Sequence, residues 1–176
     1  MLRYILIYGV IAGAVVGAPL SVRTLAMGGQ PMMRYGMLVG YLTMLVALSA
    51  VFLAIKRHRD ADLGGVIRFW PALALGLGIS AVAGVIYVIA WEASCAIAHA
   101  DFAGAYARAM IAGQQAKGVS GAALQRVTDE MGRFKIQYAN PLYRWPMTFA
   151  EIFPVGVIVS LISAGLLRNS RFMPAR

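Results

Sequence analysis

The residues best suited to chemistry in this chain are two carboxylates, Glu92 and Glu151, each set in a long apolar run. An ionisable group held within a membrane is costly, so it faces a cavity, a partner or a path to water. Glu151 stands six residues past Trp145, about 9 Å along a helix axis at 1.5 Å per residue. Pro154 follows it, and a proline inside a helix removes the donor for the carbonyl of residue i−4, here Ala150. A freed carbonyl beside a carboxylate suits a water, a proton or a cation. Glu92, Glu151 and Pro154 are therefore the candidate intramembrane polar site. The competing reading has both acids snorkel to headgroup water or pair with Arg23, Arg34 or Arg144.

Other constellations are weaker. Glu92, Cys95 and His99 are metal-ligand types that would share one face if the third helix ran on past Cys95. A packing cysteine and an interfacial histidine explain them better, and no metal site is expected. The sequence holds no nucleotide loop, zinc spacing or Gly-x-Ser-x-Gly elbow. The Gly-x-x-x-Gly runs near the N-terminus follow no strand, which removes the dinucleotide reading. No catalytic residue and no cofactor is expected. The lone cysteine allows no internal disulfide.

The elements that must position these residues are apolar helices. Of the 176 residues, 60% are hydrophobic and 13% charged, with a mean hydropathy of +0.71. A soluble domain carries about a quarter charged residues, and one this small cannot hide so much apolar surface. The net charge of +9 is spread between apolar runs rather than gathered on one face, so nucleic acid is not the expected partner. Lys and Arg placed this way set membrane orientation and meet anionic lipid.

A crossing helix needs about 20 apolar residues, and four stretches qualify. The expected spans are about 4–22, 35–55, 69–95 and 146–167, edged by Tyr4, Tyr35, Trp70, Trp91 and Trp145 as an interfacial belt. The opening segment has the general form of a signal peptide, but Pro19 is a poor start for a mature chain, so it reads as a retained first span. Pro71 and Pro146 suit the first turns of their spans, whereas Pro19 and Pro154 should kink or end a helix. The 16 bases divide evenly between the two sides of a four-span chain. The short segments beside spans carry Arg3, Lys56, Arg57, Arg59, Arg68, Arg168, Arg171 and Arg176, which places both termini in the cytoplasm. Lys56, Arg57, Arg59 and Arg68 read as the lipid-headgroup and topology residues.

Each span also carries a stripe of small residues suited to close helix packing. These are Gly9, Gly13 and Gly17, then Gly36 and Gly40, then Gly76, Ser80 and Gly84, and last Gly156, Ser160 and Ala164. One such stripe could instead be a homo-oligomer face. Polar character returns over 101–140. Phe102, Tyr106 and Met110 form one helical stripe; Leu124, Val127, Met131, Phe134 and Tyr138 form a second. Ser120 is placed to cap the second helix, Asp129 to pair with Arg133, and Asn140-Pro141 to end it.

Several motifs together resemble one family. They are Gly36-Met37-Leu38-Val39-Gly40-Tyr41 with Met44-Leu45, Arg59-Asp60 with Gly64-Gly65, and Tyr87-Val88 with Trp91-Glu92. Asn140-Pro141-Leu142, the run from Thr148 through Glu151-Ile152-Phe153-Pro154-Val155-Gly156, and Leu161-Ile162-Ser163-Ala164 complete the set. In these the chain resembles the domain-of-unknown-function 4199 family of small bacterial integral membrane proteins. The resemblance implies four spans in a bacterial inner membrane and brings no activity, substrate or cofactor.

The expected molecule is thus an all-α membrane protein, one domain of four transmembrane helices with an amphipathic helical hairpin between the third and fourth. The function expected is that of an accessory or partner-binding subunit using the outer segment, in contact with membrane lipids. The alternative is a small oligomeric transporter or proton-coupled carrier built around Glu92 and Glu151.

Overall fold

The computed structural model describes residues 1–28 and 36–174. Six helices make up the described residues, with no strand: α1 (Leu2–Met27), α2 (Gly36–Asp62), α3 (Phe69–Ile97), α4 (Phe102–Ala116), α5 (Gly121–Ala139) and α6 (Pro141–Leu167). Arg34, Tyr35 and Arg176 lie outside the described residues. Four helices, α1, α2, α3 and α6, are long and apolar enough to cross a membrane. Their 26 to 29 residues extend about 39–44 Å at 1.5 Å per residue. A hydrocarbon core of about 30 Å is thereby spanned with a turn or two to spare at the ends. Large apolar side chains such as Leu6, Val10, Leu42, Val46, Ile89, Ile158 and Ile162 point outward, as lipid-facing residues must in a multi-pass membrane protein.

Contacts fix the arrangement. α1 lies along α3, α3 along α6, α6 along α2 and α2 along α1. Where α1 meets α3, a Cβ at Gly9 would sit 2.6 Å from Val82 Cβ, one at Gly13 2.7 Å from Ile86 Cβ, and one at Gly17 3.0 Å from Ala90 Cβ. The numbers rise together, so α1 and α3 run parallel. Where α3 meets α6 the order reverses. Gly76 faces Ser160, while Gly156 faces Ser80, with the two serine hydroxyls 3.4 Å apart. Each hydroxyl also donates to the carbonyl four residues back, Ser80 to Gly76 at 2.9 Å and Ser160 to Gly156 at 2.7 Å. That satisfies a polar group that lipid could not.

Both termini sit at one end of the bundle. Tyr4 packs its ring 5.0 Å from that of His58, and Arg59 donates to the carbonyl of Phe172. α4 and α5 cover the opposite end, packed on each other, with α5 also against α6.

Several local expectations change. α1 does not end at Pro19; it continues to Met27 and stops at Gly28, whose φ of 61° turns its N–H back to the Thr24 carbonyl. Neighbouring helices hold a proline-containing span together where an isolated helix would break. Pro154 likewise lies inside α6. Pro146 is not in the first turn, because Pro141 takes that place and Asn140 Oδ1 accepts from the Leu142 N–H at 3.0 Å. Ser120 occupies the N-cap of α5 without a side-chain hydrogen bond. The capping carboxylate belongs to α4, where Asp101 accepts from the Gly104 N–H at 2.9 Å. Asp129 accepts from Gln125 at 3.0 Å rather than pairing with Arg133.

Candidate functional site

The two carboxylates take different partners. Glu92, near the end of α3, forms a two-pronged pair with Arg144 of α6: Nε donates to Oε1 and Nη2 to Oε2, each at 2.5 Å. Arg144 also donates to the Tyr138 carbonyl at 3.1 Å and lies 5.6 Å from the centre of the Tyr138 ring. One guanidinium therefore ties together α3, α5 and α6. With side-chain exposures of 21% and 28%, the pair is neither a surface bridge nor a fully dry one. Its value falls between the ~0–1 kcal/mol of exposed pairs and the ~3–5 kcal/mol lost when a buried pair is broken.

Glu151 is placed otherwise. Its Oε2 accepts from the Tyr87 hydroxyl at 3.1 Å, and it lines a cavity of about 360 Å³. All six helices contribute to this cavity. α1 supplies Leu20 and Arg23, α2 Tyr41 and Met44, and α3 Tyr87 and Trp91. Phe102 and Tyr106 come from α4, Tyr138 from α5, and Thr148 beside Glu151 from α6. Glu92 lines a neighbouring cavity of about 330 Å³ with Cys95, Lys135 and Arg144. Trp91, Phe102 and Tyr138 border both spaces.

That dividing wall is held by its own chemistry. Trp91 Nε1 donates to the Tyr138 hydroxyl at 2.9 Å. Phe102 stands edge-on to Trp91 with centroids 5.0 Å apart, and lies 5.5 Å from Tyr138 and 6.0 Å from Tyr106. Burial pushes the Tyr138 phenol up to about 12, so it accepts from Trp91 as a neutral group. The covered positions of α5 are Leu124, Val127, Met131, Phe134 and Tyr138, its other side chains being exposed. Phe134 meets Tyr106 at 5.4 Å and Tyr138 at 5.3 Å, which holds α5 on α4 and both on the cavity.

The metal-type residues do not gather. α3 ends at Ile97, and His99 takes a left-handed φ of 47°, so no helical face joins it to Glu92 and Cys95. Among the described residues no group of three His, Cys, Asp or Glu side chains is close enough to hold a metal ion.

At the terminal end, the basic cluster divides. Arg59 is wholly buried, which corrects its reading as a headgroup contact. Its Nε donates to Asp60 at 2.7 Å, and its remaining nitrogens reach the carbonyls of Leu167, Phe172 and Met173 at 3.5, 3.0 and 2.5 Å. These carbonyls belong to the end of α6 and the chain beyond it, groups a helix leaves without donors. Lys56 pairs with Asp60 at 2.5 Å and His58 with Asp62 at 2.8 Å. Arg68, at the N-cap of α3, is exposed. Arg57 lines an open hollow with Arg3, Tyr4 and Tyr8.

Sequence reasoning singled out Glu92 and Glu151, and the Glu92–Arg144 pair is the one its competing reading named; it missed the aromatic wall and the Arg59 clamp. A base at the edge of a span looks the same in sequence whether it faces lipid or a carbonyl.

No curated protein and no solved structure matches the chain. A family model described as "Protein of unknown function (DUF4199)" matches residues 6–169, nearly the entire length. The resemblance read from the motifs is thereby confirmed, and the chain belongs to the DUF4199 family of proteins of unknown function.

Proposed function

We propose that this is a multi-pass protein of the bacterial inner membrane, both termini cytoplasmic, that binds a small molecule in the cavity around Glu151. One observation carries the reading. All six helices converge on a space of about 360 Å³ that is half lined by aromatic rings and into which α6 sets a carboxylate paired with a phenol. A ligand site is expected to be concave, mostly apolar and fitted with a few polar groups. The volume lies within the range of about 300–1,000 Å³ found for ligand pockets, at the end that suits a small organic molecule. The orientation is supported by the bases in short segments beside the spans at the terminal end, Arg3, Arg57, Arg68 and Arg168 among them. In that orientation the cavity opens toward the outer leaflet. Carriage of the ligand, by one copy or by an oligomer, is the natural extension of binding it.

Native mass spectrometry of the full chain in mild detergent tests the reading. A small-molecule or lipid adduct should accompany the protein and vanish in Gly40→Phe, which fills the cavity from α2. An adduct unchanged by that substitution would overturn the site. A C-terminal reporter active only in the periplasm should stay silent; activity would invert the orientation.

A second reading, that of an accessory subunit, is favoured by the uncovered Ile136 and Leu142, which are 77% and 78% exposed at the α5–α6 junction. A stoichiometric partner that co-purifies with the native chain and is lost from Ile136→Asp would support it. Purification of the native chain alone would count against it.

A further inference from the structure

We propose that the cavity receives an organic ammonium group, the cationic end of a choline- or ethanolamine-type molecule. This deepens the small-ligand reading and rests on it. The argument begins with the walls. Aromatic faces carry negative charge density, and a cation over them is attracted, most strongly when desolvated. Phe102 lies against Trp91, Tyr106 and Tyr138 at 5.0, 6.0 and 5.5 Å, an aromatic cluster whose four members all line the cavity. Tyr41 of α2 and Tyr87 of α3 add rings from other helices.

The charged lining residues are one of each sign, Glu151 and Arg23, and of the two only Glu151 attracts a cation. Glu151 is the only carboxylate among the described lining residues, and Tyr87 orients its Oε2 at 3.1 Å. A bare metal ion is a poor occupant, because hard cations require six or more oxygen ligands and these walls are mostly carbon. A simple anion would meet both the carboxylate and the negative ring faces. An ammonium with methyl or methylene groups satisfies carboxylate and rings together. Arg23 of α1 also lines the cavity and already has an interaction of its own. The ammonium chemistry is shared by a free amine and by the headgroup of a zwitterionic phospholipid.

The full-length protein should be titrated with choline and with its neutral isostere, 3,3-dimethylbutan-1-ol, following thermal stability and Trp91 fluorescence in a chain lacking Trp70 and Trp145. Choline should stabilise the protein and perturb Trp91 at concentrations at which the isostere does neither. Glu151→Gln, which keeps an acceptor for Tyr87, should weaken choline at least tenfold, and Tyr41→Leu should weaken it as well while elution on size exclusion stays unchanged. Repeating the titration in lipid discs separates the sources. If phosphatidylcholine discs suppress the choline response and phosphatidylglycerol discs do not, a lipid headgroup is the occupant; a response in both identifies a free amine. Equal binding of the isostere, or choline binding indifferent to Glu151→Gln, overturns the ammonium assignment while leaving a ligand cavity. Failure of both probes, with Gly40→Phe also without effect on any bound adduct, removes the cavity reading itself.

Discussion

The two ends of the bundle treat their polar groups in opposite ways. At the terminal end, Arg59 commits its guanidinium to Asp60 and three backbone carbonyls, Lys56 takes Asp60 and His58 takes Asp62. Polarity there closes the structure. At the other end, Arg144 and Glu92 close one junction, but Glu151 receives a single phenol and otherwise borders an aromatic space. The contrast separates charge that holds a fold from charge that is left available, and substitution can test each side of it.

The largest expected effect is at Arg59. Arg59→Met takes one of two donors from Asp60, which keeps Lys56, and strips the carbonyls at and beyond the end of α6 of the buried donor that Arg59 supplies. Breaking such a buried network costs about 3–5 kcal/mol, so the melting temperature in detergent should fall well below that of the native chain. Arg59→Lys should rescue little, because one ammonium cannot reproduce a planar fork serving several acceptors. Full rescue by Lys would mean that the charge matters and the carbonyl contacts do not.

Next come the close helix contacts. A Cβ at Gly13 would lie 2.7 Å from Ile86 Cβ, so Gly13→Val should cost about 1–3 kcal/mol by overpacking. Gly113, where an added Cβ would meet nothing within 4 Å, is the control: Gly113→Ala should be neutral or slightly stabilising, since alanine is the better helix former by about 1 kcal/mol. Equal effects at both sites would show that the α1–α3 contact is not tight in the membrane.

The sizes of these effects follow how much of the molecule was legible in its sequence. The four spans were readable because charges bracket each apolar run, and the stripe of α5 because Leu124 to Tyr138 repeats at helical spacing on an otherwise polar segment. The glycines facing Val82, Ile86 and Ala90 were readable as small residues, but not their partners, which depend on which helices are neighbours. The cavity was not readable at all. Tyr41, Tyr87, Phe102 and Tyr138 lie on four different helices, each an ordinary interfacial aromatic in its own segment, and only the bundle brings them to one place. The span expected through Pro19 is there as well, since α1 continues past it to Met27 where α2 and α3 hold it.

A middle effect is expected at the Glu92–Arg144 junction. Arg144→Ala should cost about 1–3 kcal/mol for a partly exposed, two-pronged pair, and should raise hydrogen exchange in α5, which Arg144 holds through the Tyr138 carbonyl. Glu92→Gln should be milder, because the amide retains one acceptor. If exchange in α5 is unmoved by Arg144→Ala, the aromatic contacts alone hold that helix.

The smallest effect on stability, and the sharpest on the comparison, is expected from Glu151. Glu151→Gln keeps an acceptor for Tyr87 and removes only a charge, so the change in stability should stay within about 0.5 kcal/mol, the range of substitutions that break no network. The double variant with Glu92→Gln then decides whether the two acids act as one group. They take different donors, Tyr87 and Arg144, and line different cavities. Substitutions without shared partners add to within about 0.3–0.5 kcal/mol. The one route for coupling is the wall between them, since Tyr138 gives its carbonyl to Arg144 and its ring to the Glu151 cavity. A cycle repeated in Tyr138→Ala, which removes the ring that borders the Glu151 cavity, measures that route. Additivity in both backgrounds identifies Glu92 as part of the fold and Glu151 as the group left for a ligand. A coupling above about 1 kcal/mol, outside that additive range, would join the two acids into one site and erase the distinction between the closed junction and the open cavity.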